Sequence, residues 1–177
     1  MILLKNSKVQ IYIAVLILMV SVAFAYWNVD TFEFLSLDDQ SYIFGNPHVK
    51  SGLTWASIKW AFSTFEASNW HPITWMSHML DFELYGLKPA GHHLTNFLLH
   101  LINTLALFFG LKTMTKSVVP SACASLLFGL HPLHVESVAW VSERKDVLSA
   151  CFMFITIFVY AKFTFSKARR LYFGAIL

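Results

Sequence analysis

The stretch VQIYIAVLILMVSVAFAYW, residues 9–27, runs for 19 residues without a charge. A bilayer core about 30 Å thick is crossed by roughly 20 apolar residues rising 1.5 Å each, so this stretch predicts a transmembrane helix. Working outward, the uncharged runs 94–111 and 117–135 are 18 and 19 residues long. A shorter run from 147 is extended by aromatics to 165, with Lys162 snorkelling to the interface, and makes a fourth span. LYFGAIL at 171–177 reads as the opening of a fifth. The whole chain is 56% hydrophobic and only 13% charged over 177 residues. A soluble domain carries about 25% charge, so a water-facing surface is missing. That excludes a disordered chain, a nucleic-acid partner and an ordinary cytosolic enzyme. The expected class is an all-α polytopic membrane protein with the lipid bilayer as its first partner, built as a single membrane domain over 1–177.

The charges sort by side. Lys5, Lys8, Lys112, Lys116, Lys162, Lys167, Arg169 and Arg170 fall in segments without a single acid. Loops 28–93 and 136–146 hold all ten acids and five bases. The positive-inside rule therefore puts the N-terminus in the cytoplasm and both acidic loops outside. Lys5, Lys8 and the Ala23-Phe24-Ala25 triplet also mimic a cleaved secretory signal. The apolar core is longer than the usual 7–15 residues, and Tyr26-Trp27 makes an interfacial anchor, which favours an uncleaved helix. Cys123 and Cys151 lie inside spans and carry no functional signal.

Loop 28–93 is too long to lack elements of its own. In TWASIKWAFSTFE (54–66), Trp55, Ile58, Phe62 and Phe65 share one helical face, with Ser57, Lys59 and Ser63 away from it. Pro72 suits a first helical position and opens a second amphipathic helix over 72–84. Two Trp-rich amphipathic helices are expected to lie flat in the membrane interface; a small soluble core is the alternative. Gly86, Pro89 and Gly91 are expected to break the chain before the second span.

Three constellations offer chemistry. Adjacent carboxylates at Asp38-Asp39 suit a general base, a divalent cation site or a solvated cap. The run HPLHVESVAWVSERKD (131–146) packs two histidines, three acids and two bases between spans. In it, Arg144 offers a planar fork of donors suited to phosphate. His71, His78, His92, His93, His100, His131 and His134 lack the paired spacing of a metal cluster, and no metal is expected. Asn96, His100 and Asn103 form a polar stripe on the second span. A transporter is disfavoured because no span carries a mid-membrane charge.

Taken together, LDDQSYIFGNPHV (37–49), GLTW (52–55), NWHPITWMSH (69–78), GHHLTN (91–96) and 131–146 resemble one family. The chain is similar to the N-terminal membrane part of the transmembrane-and-tetratricopeptide-repeat proteins, specifically their bacterial relatives. These sit with the protein O-mannosyltransferases in the GT-C class of glycosyltransferases. The resemblance covers about residues 26–160. It implies a partial GT-C-like helical bundle with interfacial helices in the first outer loop. It also implies transfer of a sugar from a polyprenyl-phosphate donor to a hydroxyl of a protein or glycan acceptor on the non-cytoplasmic side of a bacterial inner membrane. On that resemblance, Asp38 is the expected base and Asp39 the orienting group, with a divalent cation there as a possible cofactor. Arg144 and Lys145 would meet the donor phosphate. His71, His92, His93, His131, His134, Glu136 and Asp146 would shape the pocket. Family members are longer and carry repeats, so the expectation is a fragment, inactive alone. The competing function is a non-catalytic envelope scaffold.

Overall fold

The computed structural model describes residues 7–166, so Lys5, Lys167, Arg169, Arg170 and the start of a fifth span at 171–177 lie outside the described residues. Eight α-helices run through it, with no strand among the described residues: α1 Ser7–Ala25, α2 Pro47–Lys50, α3 Trp55–Ser63, α4 Pro72–Tyr85, α5 Pro89–Thr115, α6 Val118–Gly129, α7 His134–Ala139 and α8 Arg144–Ser166. Three helical stretches, Ser7–Thr31, Pro89–Thr115 and Val141–Thr164, are long and apolar enough to cross a membrane. The protein is an all-α polytopic membrane protein.

The expected span over 117–135 is shorter than its uncharged run suggests. Helix α6 has 12 residues, about 18 Å of rise. It ends because Pro132 disfavours helical backbone at His131. A second difference concerns 86–91. Gly86 does end α4, adopting φ +63° while its N–H donates to the Phe82 carbonyl at 2.8 Å. Pro89, however, starts α5 rather than breaking the chain, since its fixed φ suits a first helical residue. His92 and His93 therefore ride on the first turns of α5.

The chain divides into two compact units. The first comprises 1–27, 99–134 and 149–177. In it α1 packs on α6, and the buried faces repeat every four residues: Ala14, Leu18 and Val22 on α1, Ser121, Ser125 and Gly129 on α6. Small residues at this spacing let helix backbones approach closely. A Cβ on Gly129 would stand 2.8 Å from Val22 and 3.0 Å from Thr104, so glycine is required there. His100 closes this packing with a ring nitrogen 3.0 Å from the Gly129 carbonyl.

The second unit comprises 28–98 and 135–148. Its core is Tyr42, Ile43, Val49, Ala61, Trp75, Met79 and Val141. Caps fix its helices locally. Asn46 accepts from His48 and Val49 N–H groups at the start of α2, and Thr54 accepts from Ser57 N–H at the start of α3. Helix α4 covers the expected 72–84, whereas α3 stops at Ser63, short of the expected 66, and the aromatic face expected at the membrane interface is turned away from the protein. Ser57 and Ala61 are buried, whereas Trp55, Phe62 and Phe65 are exposed, Trp55 at 82%. Tyr42, Trp75 and Met79 already fill the core, so only the small-residue face of α3 can dock against α4.

Candidate functional site

The candidate site lies within the second unit. Its two walls are the extended segment 31–35 and the segment 135–140, which includes most of α7. Between them lies a cleft of about 570 Å³, lined by Phe32, Glu33, Phe34, Val135, Glu136 and Trp140 among others.

Asp39 holds these walls together. It is fully buried, and its Oδ2 accepts from the Leu35 N–H at 2.8 Å. Its Oδ1 accepts from the Ser142 N–H at 3.0 Å and from the Ser142 hydroxyl. One carboxylate thus ties the end of the first wall to the chain two residues beyond the second. With three protein donors, Asp39 is committed to the fold. Asp38, its neighbour, is exposed, and only its carbonyl takes part in a local turn with Ser41.

Arg144 corrects a sequence expectation. Its guanidinium is fully buried and faces no open donor site. Its Nη2 reaches Asp81 at 2.6 Å and the His92 carbonyl at 2.9 Å. Its Nη1 meets the Ser77 hydroxyl at 3.4 Å, and its Nε donates to Asn96. Asp81 also accepts from Thr95 at 2.9 Å. Asn96 passes the restraint on by donating to the Trp140 carbonyl at 3.0 Å. Burying a guanidinium is tolerable only when its donors are matched in this way. Arg144 positions the second wall, its guanidinium fully buried among four protein acceptors.

Lys145 stays at the surface, its side chain 32% exposed and paired with Glu143 at 2.7 Å. Its charge acts on the Tyr42 phenol, as do the carboxylates of Asp38 and Glu143, and Asn69 hydrogen-bonds there. Burial raises the Tyr42 pKa above its usual 10.0, and the Asp38 and Glu143 charges add to that, while Lys145 and Asn69 oppose it. Tyr42 stacks on both His71, at 5.6 Å between ring centroids, and Trp75, at 4.8 Å. Burial, then the Lys145 charge, lowers the pKa of His71 below 6.5. His78, fully buried with neither ring nitrogen hydrogen-bonded, is held well below 6.5 by burial, then by Arg144.

The remaining expected pocket residues divide. His92 is structural, with a ring nitrogen 2.9 Å from the Gly86 carbonyl. His93 is buried behind the cleft, its ring 6.0 Å from that of Phe32. Glu136 lines the cleft, and Asp146 is exposed, accepting from Ser137 at 3.3 Å. His131 and His134 belong to the first unit, where His134 packs on Phe128 at 4.5 Å. Among the described residues no group of three or more His, Cys, Asp or Glu is arranged to hold a metal. Sequence reading missed Asp81, Tyr42, Glu33 and Glu143. Asp81 alone left a trace: a single acid inside the apolar run Met79-Leu80-Asp81-Phe82 calls for a buried partner.

The sequence is homologous to protein O-mannosyl-transferases. It is 34% identical over 131 residues to protein O-mannosyl-transferase TMTC1 of Mus musculus, covering 69% of this chain and 14% of that protein. The Homo sapiens TMTC1 protein is 33% identical over 134 residues, covering 69% and 15%. Drosophila melanogaster Tmtc2 is 31% identical over 130 residues, covering 69% and 14%. The chain thus spans about one-seventh of the length of these relatives. No family model matches it, and no solved structure does.

Proposed function

We propose that this chain supplies the acceptor-activating side of a membrane O-mannosyltransferase, acting with a polyprenyl-phosphate mannose donor on the non-cytoplasmic face. The observation that carries the reading is that an exposed acid, Asp38, and a partly exposed cation, Lys145, which pairs with Glu143, both act electrostatically on the Tyr42 phenol. Homology to protein O-mannosyl-transferases supports the reaction class, and the distribution of basic residues supports the sidedness.

In the proposed step the acceptor hydroxyl oxygen attacks the anomeric carbon. The bond from that carbon to the donor's phosphate oxygen breaks, and the hydroxyl proton passes to the Asp38 carboxylate. The departing polyprenyl phosphate gains negative charge, which the Lys145 ammonium stabilises. Asp39 and Arg144 position the backbone that carries these two groups and touch no reacting atom. The exposed aromatics Trp55 and Phe62 of α3, with Phe65 just beyond its end, sit at the bilayer interface and keep the site at the depth of the lipid phosphate.

The test is mannose transfer from a polyprenyl-phosphate mannose to a serine- or threonine-containing peptide by the full-length protein. The wild type transfers, and Asp38→Asn lowers the rate by about 10²–10⁴-fold at unchanged expression and melting temperature. Undiminished transfer in Asp38→Asn overturns the proposal. A wild type with no transfer favours the envelope scaffold.

A further inference from the structure

We propose that the cleft between 31–35 and 135–140 takes a basic side chain, Lys or Arg, of a polypeptide, which on the transferase reading above is the acceptor. The argument begins with charge. Glu33 and Glu136 stand on opposite walls of the cleft, and no Lys or Arg lines it. The described ion pairs are Arg144 with Asp81, His92 with Asp81, and Lys145 with Glu143, so neither cleft carboxylate is neutralised by the protein. Both are also without a hydrogen bond from any described residue, in contrast to Asp39 and Asp81, which are saturated.

The walls match an organic cation in a second respect. Phe32, Phe34 and Trp140 present aromatic side chains to the cleft, and such rings attract a guanidinium or ammonium through their quadrupole. A neutral sugar would also stack on them, but it would bring no charge to match the two carboxylates.

Trp140 supplies a third observation: its indole N–H is buried without an acceptor in the protein, whereas the neighbouring His93, 1% exposed, has the Glu33 and Ala139 carbonyls beside its ring. Buried donors are rarely left unpaired, and a polypeptide in the cleft brings backbone carbonyls as well as a cation. A lipid headgroup cation would bring a phosphate, which the two carboxylates repel.

The cleft is also placed for this task. Leu35, the last residue of the first wall, is tied to Asp39, and Asp38 follows Leu35 by three residues, so its backbone lies within about 10 Å of the cleft rim. A basic residue in the cleft would hold a nearby serine or threonine of the same polypeptide close to the proposed base. Glu33 and Glu136 are then specificity-determining residues, and they touch no reacting atom.

The experiment measures binding of two labelled peptides, acetyl-Ala-Thr-Ala-Arg-Ala-amide and the same peptide with citrulline for arginine, to the full-length protein in a nonionic detergent. Citrulline keeps the shape and removes the charge. The arginine peptide binds about tenfold or more tightly, a preference that weakens with added salt. The double variant Glu33→Gln/Glu136→Gln loses the preference while keeping the melting temperature and the citrulline-peptide affinity. Equal affinity for the two peptides, or an unchanged preference in the double variant, overturns the proposal, as does displacement of the arginine peptide by phosphocholine at lower concentration. Asp38→Asn retains the arginine preference whether or not transfer is detected. Preference without wild-type transfer would therefore remove the transferase reading and leave the basic-residue site standing.

Discussion

Around Arg144 every charge is matched inside the protein, whereas around Tyr42 the charges of Asp38 and Lys145 reach water. The two regions share sequence doublets. Asp39 and Arg144 turn inward and are fully buried, while Asp38 and Lys145, one residue away in each case, stay accessible. The difference lies in where bonding capacity is spent. Asp39 has three protein donors and Arg144 four protein acceptors, so each is a structural fixture. Asp38 has no such donors, and a carboxylate without them remains open to an acceptor proton. The lesson is that, in a small membrane unit, a motif of paired charges separates into one residue that builds the fold and one that, on the proposed reading, works in the site.

Substitutions in the inward region should show this most strongly. Arg144→Met leaves Asp81 as an unpaired buried carboxylate and is expected to cost about 3–5 kcal/mol of stability, read as a lower melting temperature in detergent. A double variant, Arg144→Met with Asp81→Leu, should recover much of that loss. If Arg144→Met melts like the wild type, the region is not a structural layer and the comparison fails.

The next effect depends on pH. His78 is kept neutral in the fold but protonates freely when unfolded, below about pH 6.5. The unfolded state then binds the extra proton, so stability is unchanged above that pH and falls as pH drops below it. The slope approaches about 1.4 kcal/mol per pH unit for one such histidine. His71 shifts the same way but is less buried and contributes less. Melting curves between pH 7.5 and 5.0 should show the decline, and His78→Phe should flatten it. A decline of equal steepness in His78→Phe would assign the effect elsewhere.

The smallest stability effect belongs to the outward region. Lys145→Ala breaks only a partly exposed pair with Glu143, expected to matter by at most about 1 kcal/mol. On the proposed reading the same change reduces transfer strongly. A large drop in melting temperature would place Lys145 with Arg144 and erase the contrast.

Much of the fold was legible in the sequence because hydropathy and helix punctuation act locally. The run 9–27 became α1, and the helices near 54–66 and 72–84 formed where Thr54 caps one and Pro72 opens the other. That α3 docks on α4 through its small-residue face was not legible, because it depends on Trp75 and Met79 of α4 having already filled the core. Nor was the inward turn of Arg144. Its partner Asp81 lies 63 residues away, a distance that no spacing rule spans. For the same reason 38–39 reads as two equal carboxylates: only Ser142, 103 residues downstream, decides which one is buried.

The division within that doublet is tested most directly by comparing the melting temperatures of Asp38→Ala and Asp39→Ala in the same detergent. The account predicts that Asp38→Ala melts with the wild type. Asp39→Ala, which strands the Leu35 and Ser142 N–H groups, should lose at least about 1–3 kcal/mol of stability. Equal destabilisation by both changes, or a larger loss in Asp38→Ala, would contradict it.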